Sequence, residues 1–117
     1  MDHKDLDVWK KGIELVEQVY SMSSAFPDSE RFGLTSQIRR AAVSIPSNIA
    51  EGAARKSDKE LLQFLSIAIG SLAELETQYI LAIRIGFVKE DEALNKLITD
   101  EKKLLLGYRN YINNKLL

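Results

Sequence analysis

Residues 37–55 read QIRRAAVSIPSNIAEGAAR, and this stretch decides the fold. Its apolar residues recur at every third or fourth position, as on one face of an α-helix, and the pattern stays in phase past Pro46. Because proline lacks a backbone N–H and crowds the carbonyl of Ala42, we expect the helix to be kinked there. A break into two shorter helices is the alternative that the residues leave open.

The same periodicity extends outward from this stretch and predicts four long helices, with no alternating pattern typical of a strand. Ser57 and Glu60 form a capping-box pattern at one helix start, and Gly86 is a typical helix stop. The predicted helices are 7–23, 30–54, 57–85 and 90–115. Since short connections between long amphipathic helices favour antiparallel neighbours, residues 1–117 are predicted to form one all-α domain, an up-and-down four-helix bundle.

The first and third helices carry apolar faces with different expected partners: the core of the bundle for the first, and also another copy of the chain for the third. On the first helix, the expected core face is made by five residues spaced three or four apart: Leu6, Trp9, Ile13, Val16 and Tyr20. The third helix is apolar over more of its circumference than one bundle seam requires. Its extra residues, Leu62, Ile69 and Ile80, are therefore predicted to form an interface between copies of the chain, and burial inside one subunit is the alternative.

Composition limits the classes of function. The chain has 117 residues, a net charge of −1 and no cysteine, which excludes disulfides, thiolate catalysis and Cys-ligated metal sites. Nothing in it resembles a signal peptide or a membrane span, so we expect a cytoplasmic protein without a membrane partner. Residues 1–30 carry a net charge of about −4 and residues 31–59 about +4, an asymmetry that points to an acidic partner for the second block.

Recognisable catalytic chemistry is missing from the sequence. The sole histidine, His3, lies in the terminal segment, where side chains are usually solvated, and no nucleotide-binding, nucleophile or metal-ligand motif occurs. Glu74 and Glu76 are two positions apart on a helix and so face different directions. We therefore expect no enzyme, no catalytic residue, no cofactor and no metal.

A polar stripe runs beside the apolar stripe of the second helix, and the third helix carries a comparable stripe at Gln63, Gly70, Glu74 and Gln78. The members on the second helix share the three-to-four spacing and are Gln37, Arg40, Ser44, Asn48 and Glu51. One interpretation is a hydrogen-bond network that fixes the helix register, for example an Arg40–Glu74 pair. The other is a surface for a ligand or nucleic acid. Gly70 on the third helix suggests the close approach of another backbone.

Five basic residues of the second block are candidates for nucleic-acid binding: Arg39, Arg40, Arg55, Lys56 and Lys59. Such a cluster is usually a solvated face, but a symmetric ring would repeat it and sum several modest patches into one positive surface. Aromatic residues are not interleaved with these positions along the chain. The pattern therefore favours contacts to phosphates over base stacking.

Two segments carry a resemblance to a known family. LTSQIRRAAVSIPSNIAEGAAR followed by LLQFLSIAIGSLAELETQ resembles the 23S rRNA intervening-sequence proteins, and DLDVWKKGIELVEQVY is similar to that family's opening. The resemblance implies a small cytoplasmic bacterial four-helix bundle. It further implies kinship with the accessory variability determinants of diversity-generating retroelements, five-membered rings that associate with a reverse transcriptase and nucleic acid.

Two hypotheses follow from these patterns. The first is a non-enzymatic homo-oligomer, expected to be a pentamer, that binds RNA or DNA backbone or assists a nucleic-acid enzyme such as a reverse transcriptase. The second is a protein–protein assembly scaffold with no nucleic-acid role. The net negative charge of this chain departs from the retroelement group and weakens the case for tight nucleic-acid binding.

Overall fold

The computed structural model describes residues 2–117, and within them it contains helices and turns but no strand. Four α-helices follow one another in the chain: α1 (Asp7–Ser23), α2 (Leu34–Ala53), α3 (Asp58–Ile85) and α4 (Glu92–Lys115). Single 3₁₀ turns at His3–Asp5 and Asp28–Glu30 precede α1 and α2. The all-α four-helix bundle predicted from the sequence is confirmed.

Packing between the helices follows their order in the chain. The most extensive contact joins α2 and α3, while α1 packs on both α2 and α4, and α4 closes the bundle against α3. The rod measures 47 × 25 × 21 Å. One end, here called the junction end, holds the α2–α3 connection (54–57), the start of α1 and the last turns of α4.

Local signals in the sequence set the helix ends. The Ser57 hydroxyl accepts a hydrogen bond from the backbone N–H of Glu60 at 3.2 Å, which caps α3. Gly86 ends α3 with φ of 93°, in the left-handed region that glycine adopts without strain. Asp91 caps α4 by accepting from the N–H groups of Ala93 and Leu94. These contacts leave α3 and α4 antiparallel and adjacent.

α2 is one continuous helix across Pro46, so the alternative of two separate helices is wrong. The kink at Pro46 stays a prediction. α2 begins at Leu34, later than expected, because Asp28–Glu30 forms its own turn and a Glu30 carboxylate oxygen accepts from the Leu34 N–H at 3.0 Å. That side chain takes the place of a capping residue at the helix start.

The core lies along the bundle axis and includes the predicted stripe of α2, with Ile38, Ile45 and Ile49 fully buried. On α1 the predicted core face was wrong by one position. The buried residues there are Val8, Gly12, Leu15, Val19 and Ser23. The expected set lies beside them, with Trp9, Ile13 and Val16 half-buried and Tyr20 exposed. The buried face could not be recognised from hydrophobicity because two of its residues, Gly12 and Ser23, are not apolar.

Candidate nucleic-acid interface and self-association face

Three of the predicted basic residues lie together at the junction end. Arg55 and Lys56 belong to the four-residue connection between α2 and α3, and Lys59 is on the first turn of α3. The Arg55 guanidinium lies 4.8 Å from the Phe64 ring centroid and donates to Glu51 at 2.8 Å. Among residues 2–117, Lys56 and Lys59 form no ion pair. Their charges are therefore available to a polyanion.

A cleft of about 470 Å³ opens beside this connection. Its walls bring Arg55 and Lys56 together with Tyr108, Tyr111 and Lys115 from the end of α4. The α4 residues were missed by sequence reasoning, because they lie more than fifty positions away in the chain. The antiparallel bundle brings them to the junction end.

Acidic groups partly neutralise the positive charge of the junction end. The Lys115 ammonium lies 3.4 Å from a carboxylate oxygen of Asp58, and the Arg55–Glu51 pair is likewise exposed. The 3₁₀ turn His3–Asp5, from the acidic first block, packs against α2. Part of the acidic first block thus lies against α2, and the charged residues that line the cleft are Arg55, Lys56, Lys115 and Asp58.

Arg39 and Arg40 do not join this cluster. They precede Arg55 by roughly 20–25 Å along α2, at about 1.5 Å per residue. The Arg39 guanidinium donates to the Ser23 hydroxyl at 2.8 Å and to the Tyr20 carbonyl at 3.3 Å, and it stacks 4.5 Å from the Tyr20 ring centroid. Arg39 therefore ties the end of α1 to α2, which gives it a structural role, while Arg40 is exposed.

The centre of the polar stripe lies at the α2–α3 contact. The Ser44 and Ser71 hydroxyls hydrogen-bond at 2.8 Å across the two helices. The Asn48 amide donates to the Ser44 carbonyl at 2.7 Å and to its hydroxyl at 2.9 Å. Gln37, at the beginning of the stripe, is exposed. The Ser44–Ser71 bond is a polar contact that an axial shift of α2 against α3 would break.

The remaining members of the stripe bond to residues of their own helix or of the connection that follows it. Glu51 accepts from Arg55, and Glu74 accepts from the Gln78 amide at 3.2 Å. The Arg40–Glu74 pair suggested from the sequence is therefore wrong. Both acids are exposed, so their contacts add little to stability.

Two residues of the predicted self-association face pack against the core of the same chain. Leu62 and Ile69 are half-buried against the core, and Ile69 lines a small groove with Leu105 and Leu106. Ile80, on the same side, is 46% exposed. Within one chain, two of the three predicted interface residues are thus already partnered.

The other exposed apolar residues of α3 lie roughly 100–140° around the helix from that face, at about 100° per residue, on either side of the exposed Glu74. Here Ile67, Leu81 and Ile85 are 50%, 44% and 59% exposed. Gly70 lies between them, and a Cβ built there meets nothing within 4 Å, so the close approach expected at Gly70 is not made inside the chain. We call Ile67, Gly70, Leu81 and Ile85 the outer ridge of α3.

A buried acid occupies the core between three helices. Glu101 of α4 is fully buried, and neither carboxylate oxygen has a hydrogen-bond partner among residues 2–117. It faces Gly12, where an added Cβ would lie 2.9 Å from Glu101 Oε2 and 3.4 Å from the Pro46 Cβ. Burial raises the pKa of Glu101 from 4.5 to about 8, opposed by the charge of Lys11. The side chain is therefore mostly neutral at pH 7.

Two tyrosines also have raised pKa values. Burial raises the pKa of Tyr108, and its main opposing influence is the positive charge of Lys115. Burial likewise raises the pKa of Tyr79, whose hydroxyl accepts from the Asp91 N–H at 2.8 Å. Both phenols are therefore neutral at pH 7, and Tyr108 can donate a hydrogen bond into the cleft.

Two features are absent from residues 2–117. No helix in this part of the chain is long and apolar enough to cross a membrane. No group of three or more His, Cys, Asp or Glu side chains is arranged to hold a metal ion.

Comparison with known proteins identifies relatives of this bundle. A crystal structure of a protein of unknown function from the S23 ribosomal protein family of Bacteroides thetaiotaomicron VPI-5482 matches with a TM-score of 0.79 at 26% identity. The match covers 87% of this chain and 97% of that protein. No functionally curated protein matches the chain. A family model described as 23S rRNA-intervening sequence protein matches residues 4–107. The chain therefore belongs to the 23S rRNA-intervening sequence protein family.

Proposed function

We propose that this protein is a non-enzymatic, self-associating helical bundle that binds the phosphate backbone of RNA or DNA through its junction end. In this role it acts as an accessory to a nucleic-acid enzyme such as a reverse transcriptase. The related ring-forming group suggests a homopentamer. The binding residues are Arg55, Lys56, Lys59 and the α4 residue Lys115.

The convergence of cations from two distant parts of the chain on one cleft carries this proposal. Arg55, Lys56 and Lys115 line the cleft, against a single lining carboxylate, Asp58. The two exposed ion pairs there are each worth about 0–1 kcal/mol, so a phosphate can displace their carboxylates at small cost. In a ring, the local surplus would be repeated in every subunit, which raises affinity for a polyanion.

The test is a double charge reversal, Lys56→Glu with Lys59→Glu, measured by fluorescence anisotropy with a labelled mixed-sequence RNA. Neither lysine pairs with a carboxylate in residues 2–117, so the fold should be unaffected. We expect wild-type affinity to fall steeply with rising salt, since counterion release drives phosphate contacts, and the variant to bind at least about tenfold more weakly.

The matched control is Lys89→Glu with Lys103→Glu, which makes the same change of charge away from the junction end. If both double variants lose affinity equally, only net charge matters and the assigned surface is wrong. Salt-independent or undetectable binding by the intact wild-type oligomer would refute the proposal. Arg39 is unsuitable for this test, because it holds α1 against α2.

A second candidate is the assembly scaffold with no nucleic-acid role, and the outer ridge of α3 favours it. Three large apolar side chains, Ile67, Leu81 and Ile85, are about half-exposed on the helix face that also carries Glu74, and their burial against another subunit would be favourable. The scaffold predicts an oligomer that ignores RNA at every salt concentration. The binding experiment above therefore decides between the two.

A further inference from the structure

The cleft at the junction end combines cations with aromatic rings, although the two types are far apart in the sequence. Tyr108 and Tyr111 lie on the last turns of α4, and both line the cleft beside Arg55 and Lys56. The sequence pattern had favoured phosphate contacts alone, because no aromatic residue was interleaved with the basic ones. The bundle reverses that expectation.

The aromatic wall is open to a ligand. Tyr111 is 60% exposed, so much of its ring is in contact with solvent. The Lys115 ammonium lies 5.5 Å from the Tyr111 ring centroid, and it is held there by an exposed pair with Asp58 at 3.4 Å. An exposed pair of this kind costs little to break. Lys115 can therefore turn from Asp58 to an incoming phosphate.

The size and chemistry of the cleft match one nucleotide. Its volume of about 470 Å³ is within the range of small-molecule sites. Aromatic side chains stack on bases of any sequence, and neighbouring cations bind the backbone. Paired bases within a duplex cannot stack on a protein side chain without first leaving their own stack. The cleft should therefore distinguish single strands from duplexes.

We propose that the cleft holds one unpaired nucleotide of a single strand, with its base stacked on Tyr111 and its flanking phosphate on Lys56 and Lys115. This inference rests on the proposed function and deepens it, since it turns a backbone binder into a protein that prefers single strands. Tyr108, which is half-buried in the same wall, supports the base from the side of the core.

The experiment compares three labelled RNA ligands of equal length: an unstructured mixed-sequence 12-mer, its duplex, and a strand of abasic residues that keeps every phosphate. Wild type should bind the base-bearing strand roughly 5–150-fold more tightly than the abasic strand, as expected for one stacked base. Tyr111→Ala should remove that difference and leave binding to the abasic strand unchanged. Tyr111→Phe should preserve it.

The control is Phe32→Ala, which removes a more exposed aromatic ring near the start of α2, away from the junction end, and should change nothing. If Tyr111→Ala fails to fold, Tyr111→Leu keeps an apolar side chain but no aromatic face. The nucleotide site is overturned, and backbone binding left intact, if wild type binds the base-bearing and abasic strands equally. It is also overturned if Tyr111→Ala weakens binding to both strands equally. Binding to none of the three ligands overturns the proposed function as well.

Discussion

At the scale of single residues, Glu101 is the clearest departure from a simple apolar core. A buried carboxylate without partners is costly, and the protein meets that cost by keeping the group protonated. A neutral carboxyl group has a proton to donate. Pro46, which also faces Gly12, cannot donate to the carbonyl of Ala42, so the core holds an acceptor that lacks its usual helix donor.

This acid makes stability depend on pH, and Glu101→Gln tests it. The pKa of Glu101 is about 8 in the folded protein and ordinarily 4.5. Below pH 4.5 both states hold the proton. As pH rises from there, the unfolded chain releases the proton first, so the free energy of unfolding falls with pH. The fall ends once pH passes the pKa of Glu101 in the folded protein. The slope is at most about 1.4 kcal/mol per pH unit.

The measurement is the free energy of unfolding by urea for wild type and Glu101→Gln at several pH values between 5 and 8. Other titrating groups are common to the two proteins, so their difference isolates Glu101. We expect wild type to lose stability relative to the variant throughout this window. Parallel profiles would show that the Glu101 pKa is not raised.

At the scale of helices, two glycines show how closely neighbouring helices pack against α2 at Gly52 and against α3 at Gly70. At Gly52 on α2, an added Cβ would lie 2.8 Å from the Phe64 Cβ and 3.0 Å from a Leu61 methyl carbon of α3. At Gly70 on α3, it would meet nothing within 4 Å. The same residue type thus allows a close α2–α3 approach at one position and leaves an open surface at the other.

The same substitution should therefore have opposite effects at these two positions. Gly52→Ala should destabilise the bundle by about 1–3 kcal/mol, because Phe64 and Leu61 must move apart. Gly70→Ala should stabilise it by about 0.5–1 kcal/mol, because alanine restricts the unfolded chain and favours helix. Urea unfolding at one fixed protein concentration measures both. A destabilised Gly70→Ala protein would instead place another chain against that position.

At the scale of the whole molecule, the outer ridge of α3 determines what we expect of the assembly. A monomer would leave Ile67, Leu81 and Ile85 in water along one side of the rod. Burying them against a second subunit contributes roughly 25 cal/mol per Å² of apolar surface removed from water. Self-association through this ridge would also use the flat surface at Gly70.

Ile67→Asp with Leu81→Asp should therefore convert the oligomer to monomers, because burying two carboxylates costs more than the contact returns. Light scattering gives the mass, which we expect near five chain masses for wild type and one for the variant. Ile80→Asp tests the face predicted from the sequence instead. Dissociation by Ile80→Asp alone would restore that face as the interface.

Much of the fold could be predicted from the sequence, because periodicity and caps are local signals. The Ser57 cap, the Gly86 stop and the α2 stripe all appear where the pattern placed them. The core face of α1 could not be identified from hydrophobicity alone. Its Gly12 position is buried to make room for Glu101, a residue from the far end of the chain.

The candidate site was predictable only in part. Arg55, Lys56 and Lys59 are neighbours in the sequence, so their clustering at the α2–α3 connection followed from the pattern. Arg39 shares their charge, but only its contacts with Ser23 and Tyr20 assign it to the α1–α2 packing. The sequence could not distinguish the two cases, since both are arginines of the same basic block.

The sequence by itself determined the helices, their order and the family, because each depends on residues close together in the chain. Tertiary structure alone decided which residues meet: Tyr111 and Lys115 beside Lys56, Glu101 against Gly12, and α4 over Ile69. Those contacts depend on how far each helix turns about its axis and slides along its neighbour. Many side chains fix these quantities together, and no short stretch of sequence specifies them.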